Sequence, residues 1–291
     1  MLCVYHMVDH DGKGSAAIVK RMNEDVRCVG YNYDQPIPYE EIDKCDEIVI
    51  CDVSFPMEYM FELNEKKKLT WIDHHVSAIT KYDEFMATGK YKEIAGLRRS
   101  GTAAIMLAWE YYHEGEEAPE AVKLLGLNDI FDLRDKRVRP FEYAVQAMGV
   151  NRPEDKIWDK LLAPDFNVDE AVKNGEAILS FIKMRNFRLA RGMSFETHLD
   201  GYRCICANMA RGYSEFFDSL DNIRKYDVMV TFYMNKQQKW NLSFYSTKKN
   251  VDCSKLAAQF GGGGHAGAAG APALDELPDF LKDGIMWRAD L

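Results

Sequence analysis

The triplet Asp73-His74-His75 closes the apolar stretch Leu69-Thr70-Trp71-Ile72 and puts a carboxylate and two imidazoles at one point of the chain. Three such side chains in a row cannot all enter a core, because each needs a hydrogen-bond or metal partner. The same peculiarity recurs: Asp52 ends the apolar run Glu47-Ile48-Val49-Ile50-Cys51, and Asp9 and Asp11 follow a third apolar run. His6, Asp9, Asp11, Asp52, His74 and Asp129 form a set of oxygen and imidazole donors that suits Mn²⁺ or Mg²⁺ better than a thiolate-seeking metal. Six donors can hold two ions. Two ions about 3.5–4 Å apart are a recurring device for phosphoryl chemistry, sharing a water, lowering its pKa and stabilising charge on the attacked and leaving oxygens. A lone Asp after a strand is usually a cap or turn residue. Three strand ends with the same feature, joined by adjacent histidines, point to a metal centre.

The elements must bring these residues together. Residues 3–8 read as a buried strand, and Gly12-Lys13-Gly14-Ser15 opens a helix through about Asn23, with Ser15 near its N-cap. Residues 47–51 and 69–72 read as further strands, with helical pattern over 57–67 between them. Strands separated by helices predict a parallel sheet with helices on its faces, and such sheets bind ligands beyond the carboxyl ends of their strands. Ser100-Gly101-Thr102 starts a helix through about Tyr112, and residues 121–127 form another that delivers Asn128-Asp129. The acidic run Glu110, Glu114, Glu116, Glu117 and Glu120 reads as a solvated helix end and loop. Residues 169–191 read as one long helix with Gly192 as its stop signal, followed by strands over 202–207, 227–234 and 240–245 and helices near 214–220 and 254–260. The expected fold is α/β in two domains: 1–168 as the catalytic domain, 169–195 as a connector helix, and 196–291 as a smaller α/β domain.

Composition agrees with this. The 291 residues suit two domains, and 47% hydrophobic with 29% charged residues is ordinary for a globular chain. No stretch approaches the roughly 20 apolar residues of a membrane span, and Met1-Leu2-Cys3-Val4-Tyr5 runs into a strand without a basic leader, so a cytoplasmic location and no membrane partner are expected. The seven cysteines are scattered with no C-x-x-C pair and read as reduced thiols. A net charge of −9 argues against coating long nucleic acid, which needs a broad basic surface. Lys236, Lys239, Lys248, Lys249 and Lys255 are a local exception, equally readable as a phosphate-facing set or a solvated face. Arg98 and Arg99, ahead of a helix start, have the same two readings.

The ordered set His6-x-x-Asp9-x-Asp11-Gly12, Asp52, Asp73-His74-His75 and Asp129, followed by Gly261-Gly262-Gly263-Gly264-His265, resembles the DHH phosphoesterases with an appended DHHA1 domain, above all their oligoribonuclease (nanoRNase) and cyclic-dinucleotide-degrading members. The resemblance implies two Mn²⁺ ions, with Mg²⁺ or Co²⁺ as substitutes. It assigns His6, Asp9 and Asp52 to one ion and Asp11, Asp52, His74 and Asp129 to the other, with Asp52 bridging. It gives His75 the scissile phosphate and leaving oxygen, and Asp73 the support of a neighbouring histidine. His6 precedes Asp9 by three residues where relatives often have four, so the backbone must turn between them; His6 is preferred over His10 because two ligating carboxylates would put His10 on the far side. Asp129 is preferred over Asp132 and Asp135 by its setting after a helix.

Four consecutive glycines cost backbone entropy and imply close approach of the backbone to a bulky ligand, with their amides available to an anion. By resemblance, Gly262, Gly263, Gly264 and His265 hold the far end of a substrate lying in the interdomain cleft. Tyr245, in Ser243-Phe244-Tyr245-Ser246, stands where relatives often carry an arginine, which suggests stacking or a neutral hydrogen bond in place of a charged clamp. The expected function is hydrolysis of short oligonucleotides or linear dinucleotides to mononucleotides by two-metal-activated water. The alternatives are a cyclic-dinucleotide phosphodiesterase, a 3′-phosphoadenosine 5′-phosphate phosphatase, or a processive single-strand exonuclease, the last opposed by the acidic charge. A nucleotide-binding regulator without turnover is the non-enzyme alternative, and its signature, loss of metal ligands, is missing here. The expected partner is a short nucleic acid or dinucleotide, not a long duplex, and a homodimer is compatible with the resemblance.

Overall fold

The computed structural model describes residues 1–286 apart from 34, 211–213, 219, 221, 222 and 265, and only the backbone of 215, 285 and 286. The chain forms two compact units, Met1–Leu179 and Ser180–Leu291. In the first, β1 (Leu2–His6), α1 (His10–Met22), β2 (Arg27–Tyr31), α2 (Tyr39–Asp43), β3 (Glu47–Cys51), α3 (Met57–Lys66) and β4 (Lys68–Ile72) follow in order. Then come α4 (Val76–Met86), α5 (Ala104–Tyr112), α6 (Glu120–Asp129), α7 (Val138–Ala147), α8 (Ile157–Leu161) and α9 (Val168–Met193). The unit boundary falls within α9.

Among the described residues the four strands of the first unit are all parallel, in the order β2-β1-β3-β4. Alternate residues of a strand face opposite sides. Leu2 and Val4 of β1 pack with Ile48, Ile50 and Trp71 and with Met60 and Phe61 of α3. Cys3 and Tyr5 face the other way, onto Ala16 to Val19 of α1, Ile105 of α5 and Phe141 of α7. Helices cover both faces, which is why the strands read as continuous apolar runs and not as alternating ones.

Three local expectations change. β1 stops at His6, and α1 starts at His10 with Asp9 as its N-cap, Asp9 Oδ1 accepting from Gly12 N at 3.1 Å. Ser15 therefore lies inside the helix, its hydroxyl donating to Asp11 O at 2.8 Å. The carboxylate at position 9 is itself a strong cap and takes the role earlier in the chain. Gly192 lies in the last turn of α9 and does not stop it. β2, read from no periodicity, is a short edge strand.

The second unit contains β5 (Ser194–Leu199), β6 (Tyr202–Asn208), β7 (Val228–Met234), β8 (Trp240–Tyr245), α10 (Cys253–Ala258), β9 (Gly263–Gly264), β10 (Ala268–Leu274) and α11 (Asp279–Met286). Its sheet runs β5-β6-β7-β8-β10-β9, parallel between β6 and β7 and antiparallel elsewhere. Cys204, Cys206, Val228 and Val230 line one face, and Ile205, Ala207 and Met229 the other. All seven cysteines are free thiols. The helix expected near 214–220 is a single 3₁₀ turn, Ser214–Phe216, with position 219 outside the described residues. No helix among the described residues is long and apolar enough to cross a membrane.

Candidate metal centre

The chain turns sharply after β1, and this turn sets the first half of the site. Met7 N donates to Tyr31 O at 3.1 Å, and α1 begins three residues later. Gly12 permits the tight packing: a Cβ there would meet His6 O at 2.1 Å. The turn lets His6 and Asp9 share a side despite their spacing, with His6 Nδ1 3.1 Å from Asp9 Oδ2 and 3.3 Å from Asp52 Oδ2. His10 points away to a buried partner, its Nδ1 2.8 Å from Glu142 Oε1.

Asp52 follows β3 with φ +59, a left-handed conformation uncommon outside glycine and enriched at functional sites. It is 2% exposed, and its two oxygens serve different histidines: Oδ2 faces His6, while Oδ1 lies 3.2 Å from His74 Nε2. His74 Nε2 is also 3.3 Å from Asp129 Oδ2 and 3.8 Å from Asp11 Oδ2. Asp11 is buried against the start of α5, accepting from Ala104 N at 2.8 Å and Ile105 N at 2.7 Å. Donor atoms of His6, Asp9 and Asp52 thus lie within 4.8 Å of one another, as do those of Asp11, His74 and Asp129, and of Asp52, His74 and His75.

Behind these groups, Asp73 is fully buried. Its Oδ1 accepts from His74 N at 2.7 Å and His75 N at 3.1 Å and lies 2.7 Å from His75 Nδ1, while Oδ2 accepts from Trp71 Nε1 at 3.2 Å. That contact directs His75 Nε2 away from Asp73.

The electrostatics fit divalent cations. Burial and the neighbouring Asp52 charge push Asp129 up to about 7, and burial with Asp52, Asp129 and Asp9 raises Asp11 well above the carboxylate range. Burial disfavours charge on His6, yet the Asp52 and Asp9 carboxylates outweigh it and push His6 up to about 10. Protons are drawn in to balance crowded carboxylates, which is the balance that divalent cations supply. Asp129 Oδ2 is buried without a hydrogen-bond partner, a lone pair free for a ligand.

Other candidates are otherwise engaged. Asp132 and Asp135 pair with Arg134 at 2.5 Å and Arg137 at 2.7 Å. Arg98 donates to the carbonyls of Trp71, Ala95 and Ile94 and lies 4.6 Å over the Tyr82 ring, and Arg99 grips Glu110. Of the late lysines, Lys239, Lys248 and Lys255 pair with Asp275, Asp227 and Asp252. The caps that Asp11 makes on α5 and the His10–Glu142 pair left no signal in the sequence, since their partners lie 93 and 132 positions away.

The DHHA1 domain family matches residues 210–287. This part of the chain is a DHHA1 domain. A curated relative, the uncharacterized protein R106 of Acanthamoeba polyphaga mimivirus, is 24% identical over 290 residues, covering 92% of this chain. The chain spans only 66% of that relative's length. In fold the whole chain is similar to the pGpG-specific phosphodiesterase PggH of Vibrio cholerae, with TM-score 0.56, 12% identity and coverage of 99% of this chain and 98% of that one. RecJ of Thermus thermophilus, solved with Mn²⁺, matches more loosely, with TM-score 0.48, 16% identity and coverage of 100% of this chain and 52% of that one. The chain therefore shares its fold with that pGpG-specific phosphodiesterase and carries the DHHA1 domain at its C-terminal side, the arrangement the resemblance implied.

Within the DHHA1 domain the glycine run is an ordered edge. Gly263 and Gly264 pair with Gly270 and Ala269 of β10. A Cβ on Gly262 would meet Gly270 O at 2.0 Å, and Gly264, at φ +143, would meet Ala269 Cα at 2.6 Å. The close approach these two glycines permit is to a neighbouring strand, whereas a Cβ on Gly263 meets nothing within 4 Å. Tyr245 ends β8, in register with Met229 and Ala268. His265 lies outside the described residues.

Proposed function

We propose that this protein is a Mn²⁺-dependent phosphodiesterase that hydrolyses short oligonucleotides or linear dinucleotides to mononucleotides. The observation that supports it most is the division of Asp52, one oxygen toward the His6–Asp9 set and the other toward His74, which neighbours Asp11 and Asp129. His6, Asp9 and Asp52 would hold one ion, and Asp11, Asp52, His74 and Asp129 the other. When bound, two such ions lower the pKa of a water and neutralise charge on phosphoryl oxygens. The Asp73 carboxylate, 2.7 Å from His75 Nδ1, raises the pKa of His75 and so favours its imidazolium, in which Nδ1–H faces Asp73 and a second proton at Nε2 would serve the leaving oxygen. The side chain of His75 is 32% exposed, so a substrate can reach it. Gly262 to Gly264, His265 and Tyr245 of the DHHA1 domain would hold the far end of a short substrate.

PggH carries pGpG in its name, and pGpG is the first linear dinucleotide to try. The test is turnover, with Mn²⁺ present, of labelled RNAs of two to twenty nucleotides, cyclic dinucleotides and 3′,5′-bisphosphates. Dinucleotides are expected to be cleaved far faster than long strands, and equal rates would refute selection for short substrates. Asp52→Asn, which keeps shape and tolerates φ +59, should lower kcat at least about a hundredfold, beyond the loss usual for a supporting residue. Near-normal turnover would refute the shared-ligand assignment.

A further inference from the structure

Tyr33 follows β2 and stands at the rim of the metal centre. Its ring centroid lies 6.4 Å from that of His6 at an interplanar angle of 48°. Its hydroxyl accepts from Ser54 N at 3.3 Å, two residues beyond Asp52. The ring also packs edge-on against Tyr31 at 6.2 Å, and Tyr31 in turn against Phe55 at 5.2 Å. Tyr33 nevertheless remains 55% exposed.

A single exposed aromatic ring needs no explanation by itself. This ring, however, is held through its hydroxyl and by ring contacts to Tyr31 and His6, so it has given up rotamer freedom for partial burial only. More than half of the Tyr33 surface stays exposed beside His6, a member of the donor set His6, Asp9 and Asp52. A phosphodiester seated on that set would carry a nucleoside on each side, and a base directed along this rim would meet the Tyr33 ring.

Resting on the function proposed above, we infer that Tyr33 is a specificity-determining residue: its ring is the platform on which one base flanking the scissile phosphate stacks. Stacking of a base on an aromatic side chain is worth about 1–3 kcal/mol and tolerates any base, because every base has a π-face. The platform would favour nucleotide esters over other phosphodiesters without setting base identity.

The experiment is a cycle between protein and substrate. Wild type, Tyr33→Ala and Tyr33→Phe are assayed with Mn²⁺ on pGpG and on two analogues, each with one guanine replaced by hydrogen. Tyr33→Ala is expected to lower kcat/KM on pGpG about tenfold. Loss of one particular guanine should cost wild type about as much, and the two losses together should cost no more than either alone. Tyr33→Phe, which keeps the ring, should recover most of the lost kcat/KM. Mn²⁺ affinity of Tyr33→Ala, measured by calorimetry, should match wild type.

Additive losses, no loss in Tyr33→Ala, or a Tyr33→Phe as impaired as Tyr33→Ala would each overturn the stacking role. Weakened Mn²⁺ binding would overturn it too, making Tyr33 a support of the ligands. If wild type cleaves neither pGpG nor any other linear dinucleotide or short oligonucleotide, the proposed function itself fails and the Tyr33 platform with it. Failure of the platform alone leaves wild-type turnover intact.

Discussion

Asp73 shows how one buried carboxylate can order a site without facing it. Its oxygens take two backbone N–H groups and the Trp71 indole, and Oδ1 lies 2.7 Å from His75 Nδ1. A carboxylate can accept all four, whereas an amide must turn an NH₂ toward a donor on one side. Asp73→Asn is therefore expected to fold but to lose about 10–100-fold in Mn²⁺ affinity and kcat, the range found for outer partners of metal ligands. Calorimetric Mn²⁺ titration beside circular dichroism checks this, and a folded variant with wild-type affinity would remove Asp73 from its supporting role. Arg98 illustrates the opposite outcome at the same scale. Its sequence setting suits a phosphate contact, yet three carbonyls and two rings occupy it.

At the scale of elements, the site depends on where strands end and helices begin. β1, β3 and β4 run parallel, so residues that follow them gather at one edge of the sheet. The starts of α1 and α5 complete the arrangement, one capped by Asp9 and the other held by Asp11. In the DHHA1 domain the edge strand β9 makes a sharper test of packing against function. Gly262→Ala forces a Cβ onto Gly270 O and should destabilise that unit by about 1–3 kcal/mol, as overpacking does. Gly263→Ala meets open space and should leave the melting temperature within about 2 °C of wild type, since surface changes are usually worth under about 0.5 kcal/mol. Equal melting temperatures for the two variants would show that β9 does not press on β10 as described.

For the molecule as a whole, the candidate metal centre is a store of unbalanced charge. Asp9, Asp11, Asp52 and Asp129 crowd one edge of the first unit, raising Asp11 and Asp129. Ions that bind only the folded state add stability by mass action, about 2.7 kcal/mol at a hundred times Kd. Mn²⁺ should accordingly raise the unfolding temperature of wild type by several degrees, and Asp52→Asn should lose most of that rise; differential scanning calorimetry with and without Mn²⁺ decides it. Much of this was legible in the sequence. The apolar runs before Asp52 and Asp73 determined a parallel sheet, and the residues that end them a set of oxygen and imidazole donors, because strand period and donor chemistry are local properties. The order of motifs through to the glycine run pointed to the DHH and DHHA1 pair. Only the tertiary structure decided that the turn after β1 brings His6 to Asp9 while His10 goes to Glu142, that Asp129 and not Asp132 neighbours His74, that Arg98 is engaged, and that Tyr33 stands beside His6. These are contacts between residues distant in the chain or across a turn, and no spacing or periodicity encodes them; they follow from which surfaces remain to be packed once the sheet has formed.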